Sequence, residues 1–148
     1  MAYEIIGETI KSATSIKLAQ IFDNPTRYKE NITKQRYPNF HITQLNLEVS
    51  PAGRERMQLD YLINIQYRVA EDTEDVSNLQ QQLDNVGLKL CTELTELDLE
   101  LPTKTKNRNY EKVEGVLQFF FNITVFAIPE KEGDPKFKNY ELEEEVVE

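Results

Sequence analysis

The sequence of 148 residues is poor in the residues that build most catalytic and metal sites. It contains one cysteine, Cys91, and one histidine, His41, so it cannot form an intrachain disulfide and offers no C-x-x-C or H-x-x-H pair to a metal ion. Its five glycines are scattered, which excludes a glycine-rich phosphate-binding loop. We therefore predict no cofactor, metal or catalytic centre. We interpret Cys91 as a small hydrophobic residue and His41 as a hydrogen-bonded strand residue.

Long apolar segments are also missing. No apolar run approaches the roughly 20 residues that a transmembrane helix needs. Residues 1–11 lack the basic and apolar regions of a signal peptide. We expect a soluble protein that is made inside the cell and binds no membrane.

The sequence has 17 basic and 26 acidic residues, which gives a net charge of −9. A nucleic-acid-binding protein would present a basic face, so we expect no sequence-specific nucleic-acid partner. Residues 129–148 hold eight acids and three bases and therefore contribute −5 of this charge. The length fits one domain. We predict a single domain over residues 1–129 and an acidic, mobile C-terminal tail over residues 130–148.

The most hydrophobic segment is residues 113–129, VEGVLQFFFNITVFAIP. Apolar residues fill every odd position from 117 to 127, and the polar Gln118, Asn122 and Thr124 all fall on even positions. Period two with β-branched and aromatic residues predicts a strand. Phe120 and Phe126 also make the even face partly apolar, so we expect a neighbouring strand, a helix or another subunit to cover it.

The first half of the chain predicts a helix and a hairpin. Residues 3–22 carry Ile6, Ile10 and Ala13 at helical spacing, with Ile16 beside them. Residues 25–39 are polar and predict a loop. Strands are predicted over residues 40–49 and 57–69, joined by the turn at residues 50–56. In the second strand, apolar residues and tyrosines fill every odd position from 57 to 69, which predicts one buried face. In the first of these strands we place His41 and Thr43 on the same face as Leu45, Leu47 and Val49.

The second half predicts another helix and another hairpin. Apolar residues recur every three or four positions from Val76 to Leu97, which predicts about six helical turns, with Asp72 or Thr73 as the cap. We expect this stripe to pack on a sheet, since it is too short for a convincing coiled coil. Residues 103–112 predict an exposed strand. The fold class is α+β in the order α-β-β-α-β-β, with an antiparallel sheet and helices packed on one face.

Two basic segments are the candidate functional sites. The turn 50–56 contains Arg54 and Arg56, and the segment 104–108 contains Lys104, Lys106 and Arg108. In an acidic protein, such bases can face acidic patches on a partner or on a sister subunit. The alternative is a surface of mixed charge. The acids between Glu93 and Glu100 predict the solvated end of a helix.

The order of elements and two of the strands resemble a known family. Residues 114–126, EGVLQFFFNITVF, resemble the last hairpin of the phage tail terminator family, whose strand carries a D-G-hydrophobic-hydrophobic-x-F-F pattern. Residues 63–68, INIQYR, are similar to an earlier strand of the family, and the leucine-striped helix follows in the same place. The resemblance covers residues 3–128. The polar segment 25–39 and the tail beyond residue 129 depart from the family pattern.

The resemblance implies a structural protein of the virion tail with no active site. Tail terminators form a homo-oligomeric ring, commonly a hexamer, on the head-proximal end of the tail tube, where they halt tube polymerisation. Their partners are the tail tube protein and the head–tail connector protein. Two alternatives stay open: another neck or head–tail joining protein, and a small ligand-binding or enzyme domain with a dispersed site at Asp60, Asn64 and Arg68.

Overall fold

The structure, a computed structural model, describes residues 2–23, 25–30, 35–53 and 55–128. Within these residues the chain forms two α-helices, a short 3-10 helix at Thr73–Asp75 and six strands. In chain order the helices and strands are α1 (Ala2–Phe22), β1 (Thr26–Tyr28), β2 (Asn39–Pro51), β3 (Met57–Arg68), α2 (Leu79–Glu93), β4 (Glu96–Asp98), β5 (Pro102–Val113) and β6 (Val116–Ala127).

The six strands form one curled sheet in the order β1-β2-β3-β6-β5-β4. Every neighbouring pair is antiparallel except β1 and β2, which are parallel. The central pair, β3 and β6, is matched along its whole length, from Met57 opposite Ala127 to Arg68 opposite Val116. The predicted α+β class is confirmed. The sequence analysis missed β1 and β4, three residues each, which are too short to show a period.

The core lies between the sheet and the two helices. Residues at odd positions of β3 and β6 point towards the helices. Those from Leu59 to Ile65 and from Leu117 to Ala127 are almost fully buried, which confirms the predicted apolar face. From α1, Ile6 and Ile10 join them as predicted, whereas Ile16 is 57% exposed. From α2, Leu83 and Leu90 are fully buried, so the leucine stripe packs on the sheet as predicted.

A glycine lets α2 approach the sheet closely. A β-carbon added at Gly87 would lie only 2.8 Å from the ring of Tyr110 on β5, so a larger residue there would push the helix away. The Tyr110 hydroxyl donates to Asp84 Oδ1 at 3.2 Å, and Lys112 Nζ lies 3.0 Å from Asp84 Oδ2. The hydrogen bond from Lys112 lowers the pKa of Asp84. These contacts fix the height and the angle of α2 over β5.

The predicted six-turn helix is shorter in the structure. Asp72 does act as a cap, accepting a hydrogen bond from the Glu74 N–H at 3.0 Å, but it caps the 3-10 helix. The left-handed backbone of Asn78, with φ 57°, separates this turn from α2. At the other end α2 stops at Glu93, and Leu97 belongs to β4. In the sequence the leucine stripe runs on from α2 into β4, because both elements bury their leucines against the same core.

The predicted facing of β2 was wrong in its first half. The pairing of β2 with β3 shifts register between Gln44 and Asn46, which leaves Leu45 as an extra residue, 50% exposed. Such a bulge reverses the side-chain alternation along the strand. Phe40 and Ile42 therefore lie in the core, and His41 and Thr43 lie on the opposite face.

Among the described residues, no helix has both the length and the apolar character needed to cross a membrane.

Candidate interface on the open face of the sheet

The face of the sheet opposite the helices, here called the open face, carries a mixture of polar and apolar side chains. Within the described part of the chain, both helices pack on the other face. The side chains of the open face bury one another, so most are half-buried. From the two central strands these are Gln58, Asp60, Leu62, Asn64, Gln66, Arg68, Val116, Gln118, Phe120, Asn122, Thr124 and Phe126.

One end of the open face is an amide ladder. Asn64 Nδ2 donates to Gln118 Oε1 and to the Phe119 carbonyl, both at 3.2 Å. Gln66 Nε2 donates to the same Gln118 oxygen at 3.2 Å, and Arg68 Nη2 donates to Gln66 Oε1 at 3.0 Å. The ladder fixes the strand register with polar groups that satisfy one another.

The other end of the open face is a charged network. Lys106 Nζ donates to Thr124 Oγ1 at 2.8 Å, and the Thr124 hydroxyl donates to Asp60 Oδ1. Gln58 Nε2 donates to Asp60 Oδ2 at 2.8 Å. Glu48 of β2 lies directly opposite Asp60, so two carboxylates face each other at this end. Like charges in that position are unfavourable unless a cation lies near them.

Three of the predicted basic residues lie towards this charged end. The Arg56 guanidinium carbon lies 4.9 Å from the centre of the Phe126 ring. Lys106 lies opposite Asn122, and the exposed Lys104 lies opposite Glu96 of β4. The turn after β2 and the start of β5 are thus at the same end of the sheet, although the sequence separates them by about 50 residues. Arg54 lies outside the described residues.

Arg108 lies apart from the other bases. The pairing of β5 with β6 is irregular between Lys106 and Asn109, and the Arg108 side chain lies on the helix side. Its Nε donates to the Cys91 carbonyl at 2.9 Å, and its Nη1 donates to Thr105 O and Oγ1 at 3.0 and 3.1 Å. These bonds tie the last turn of α2 to β5. Arg108 is half-buried and its hydrogen bonds contribute to the fold, while its contact with a partner stays a prediction.

The remaining candidate groups have little chemistry to offer. Burial raises the pKa of the Cys91 thiol, an effect that the nearby Arg108 charge partly offsets, so the thiol stays protonated at neutral pH. Burial, followed by the charges of Arg68 and Lys11, lowers the pKa of His41. Among the described residues, no group of three or more His, Cys, Asp or Glu is placed to hold a metal ion.

The alternative of a dispersed catalytic site gains no geometric support. Asp60 belongs to the charged network, whereas Asn64 and Arg68 belong to the amide ladder. A cavity of about 430 Å³ opens instead beside Phe40 and Tyr67, and its described lining contains no cysteine, histidine or carboxylate.

Sequence reasoning identified the bases but missed their acidic and hydroxyl neighbours. Gln118, Asn122 and Thr124 stood out as polar residues in an apolar strand, and that was the available signal. Joining Thr124 to Asp60 and Lys106 requires the register of three strands, which the sequence does not specify.

The comparison with known proteins concerns nearly the whole chain. A protein-family model described as "Phage tail terminator protein" matches residues 9–135, that is, 127 of 148 residues. The match extends from α1 through β6 and so includes both faces of the sheet. No curated protein matches the sequence.

Proposed function

Because this chain belongs to the phage tail terminator family, we propose that it forms a closed ring, a hexamer, on the head-proximal end of the tail tube. Members of the family are structural proteins without enzymatic activity, and they are components of the phage tail. In the proposed role the ring halts polymerisation of the tail tube protein and presents its free side to the head–tail connector protein. The family match is the observation that carries this proposal.

The open face is the surface that we assign to partner contact. Its charged end brings Arg56, Lys104 and Lys106 together in a protein whose net charge is −9. Bases that are gathered in one place attract an acidic partner and orient it as it approaches. We include Arg54 in this contact because it lies two residues from Arg56 in the sequence.

The apolar residues of the open face support the same assignment. Leu62, Phe120 and Phe126 are half-buried beside the polar networks. Large apolar side chains on an uncovered sheet surface, with polar groups around them, are typical of a protein–protein contact. The polar groups fix the orientation of the partner, and the apolar groups contribute burial energy.

Growth of tail tubes in the presence of the protein tests the proposed role. Purified tube protein is allowed to polymerise from a tail initiation complex, and tube lengths are measured in electron micrographs. We expect added protein to stop elongation and to form a ring on one end of each tube. The triple variant Arg54→Glu, Arg56→Glu, Lys104→Glu is expected to fold and to leave growth unchecked; Lys106 is kept because it is bonded to Thr124 beside Asp60. Tubes that grow equally with and without the wild-type protein would contradict the proposal.

A binding assay with isolated head–tail connectors distinguishes the tail terminator role from that of another neck protein. A head–tail joining protein of a different kind would bind the connector but leave tube growth unaffected. The terminator role predicts that the protein both binds the connector and stops tube growth. The same preparation of protein serves for both measurements.

A further inference from the structure

The two outer edges of the sheet differ in charge. Residues 25–39, which include β1 at one edge, contain four bases and a single acid, Glu30. Residues 93–101, which include β4 at the other edge, contain four acids and no base. We define the basic edge as Arg27, Lys29 and Arg36. We define the acidic edge as Glu93, Glu96, Asp98 and Glu100.

Among the described residues, no ion pair joins the two edges of one subunit. β1 and β4 are the outermost strands of a six-stranded sheet. The sheet is curled, and both edges reach α1: Arg27 contacts Ser15, and Asp98 contacts Lys17. Lys29 and Arg36 on one edge and Glu93, Asp98 and Glu100 on the other are all exposed, so both edges present their charge to a second molecule.

Contacts inside the subunit leave most of this charge in place. Arg27 Nη1 donates to the Ser15 carbonyl at 2.7 Å, and Lys29 Nζ donates to the Ser12 hydroxyl at 3.1 Å. Both acceptors are neutral oxygens, so these bonds hold the bases at the edge without removing their positive charge. On the acidic edge, Lys17 Nζ reaches Asp98 Oδ2 only at 4.0 Å. Asp98 is the exposed partner of this pair, and an ion pair at that distance and exposure contributes little.

The backbone beside the basic edge is also available to a second molecule. β1 covers only residues 39–41 of β2, so residues 42–51 have no strand on their outer side among the described residues. Leu45 and Val49 on this part of β2 are 50% and 43% exposed. An uncovered strand of this length with exposed apolar side chains invites another chain.

These observations identify the contact between neighbouring copies. We propose that the basic edge of one subunit, with the uncovered part of β2, docks against the acidic edge of the next copy of this chain. The contact is heterologous, because two different surfaces meet, and a repeated heterologous contact generates a ring when its rotation closes. Opposite charges set the direction around the ring, and like edges repel one another. This inference rests on the ring of the proposed function and specifies how that ring is held together.

Charge reversal on one edge at a time tests the contact. The basic-edge variant is Lys29→Glu, Arg36→Glu, and the acidic-edge variant is Glu93→Lys, Glu100→Lys. All four side chains are exposed, so circular dichroism is expected to show native folds. By sedimentation, each variant alone is expected to associate at least tenfold more weakly than the wild type. The control Glu71→Lys, Glu74→Lys has the same net charge as the acidic-edge variant and is expected to associate normally.

Mixing the two variants gives the decisive result. In each variant one edge is intact and the other carries reversed charges at two positions. In an equimolar mixture, intact edges can meet each other and substituted edges can meet with opposite charges at the reversed positions, so association is expected to recover by alternation. A chain with all four substitutions has the wild-type net charge and is expected to associate with itself. If the folded single-edge variants associate like the wild type, or if the mixture does not recover, the edge contact is wrong. A wild-type protein that never associates would instead overturn the ring of the proposed function.

Discussion

The two faces of this sheet are built from the same strands and serve different purposes. On the covered face, the odd positions of β3 and β6 carry only apolar residues, and those from Leu59 to Ile65 and from Leu117 to Ala127 are almost fully buried. On the open face, the even positions alternate between amides, charged groups and large apolar residues, most of them half-buried. The covered face holds the domain together, whereas the open face is the surface that we propose for partner contact.

The comparison shows how one strand can meet two requirements. Since neighbouring side chains point to opposite faces, a substitution at one position affects the core and a substitution at the next position affects the surface. Phe120 and Phe121 are adjacent in the sequence, yet Phe121 is fully buried and Phe120 is half-buried on the open face. The four predictions that follow test this division, beginning with the largest expected effect.

Phe121→Asp is expected to unfold the protein. Burying an unpaired carboxylate costs several kcal/mol, which is comparable with the total stability of about 5–15 kcal/mol of a domain. The matched control is Phe120→Asp. Its new carboxylate lies on the open face and can reach solvent, so this variant is expected to stay folded. Thermal unfolding followed by circular dichroism measures both. A near-native melting temperature for Phe121→Asp would show that the assignment of the covered face is wrong.

Arg108→Met is expected to destabilise the fold. The substitution keeps much of the aliphatic stem but removes hydrogen bonds from a charged donor to Cys91 and Thr105, which contribute on the order of 1.5–3 kcal/mol. Lys104→Met serves as the control, because Lys104 is exposed on the open face. Urea denaturation gives the free energy of unfolding of each variant. Equal stabilities would place Arg108 among the partner-binding bases after all.

The double reversal Arg54→Glu, Arg56→Glu is expected to weaken assembly without unfolding the protein. A loss of tube attachment of about tenfold corresponds to about 1.4 kcal/mol of binding free energy. Exposed charges are screened least at low salt, so the difference from the wild type is expected to be larger there. Tail-length distributions and circular dichroism measure the two effects. Tails of normal length from a folded double variant would remove both arginines from the contact surface.

The pH dependence of stability near His41 is the smallest expected effect. The pKa of this residue is lowered from its ordinary value of 6.5, chiefly by burial, so the unfolded chain binds the proton more readily than the folded one. The contribution of His41 is therefore complete above pH 6.5 and is lost as the pH falls below it. The variant His41→Gln is expected to lose less stability between pH 7.5 and 5.5, as measured by urea denaturation. If the free energy of unfolding changed equally with pH in the wild type and in the variant, this contribution of His41 would be excluded.

Periodic parts of the fold could be predicted from the sequence because they repeat over many residues. Apolar residues that recur about every four positions predict the helix α1. Apolar residues that recur every two positions predict the buried faces of β3 and β6. The bulge at Leu45 and the left-handed Asn78 could not be predicted, since each is a single-residue departure that the surrounding packing imposes. The three-residue strands exist only because neighbouring strands pair with them.

The candidate site was predictable only as a list of bases. The residues Arg56, Lys104 and Lys106 were identified from their charge, but their meeting at one end of the open face depends on the register of β3, β6 and β5. Arg108 follows the same basic run in the sequence, and an irregularity in β5 directs its side chain to the helix side. The predicted tail at residues 130–148 lies outside the described residues and stays a prediction.

The mass of the full-length protein in native solution tests the central claim most directly. Light scattering over a range of concentrations, followed by addition of tail tubes, measures whether one chain of 17.3 kDa assembles into a larger particle. A closed ring predicts a discrete species at a fixed multiple of that mass, alone or on the tube ends. A protein that stays strictly monomeric at high concentration and also fails to join tail tubes would contradict the account.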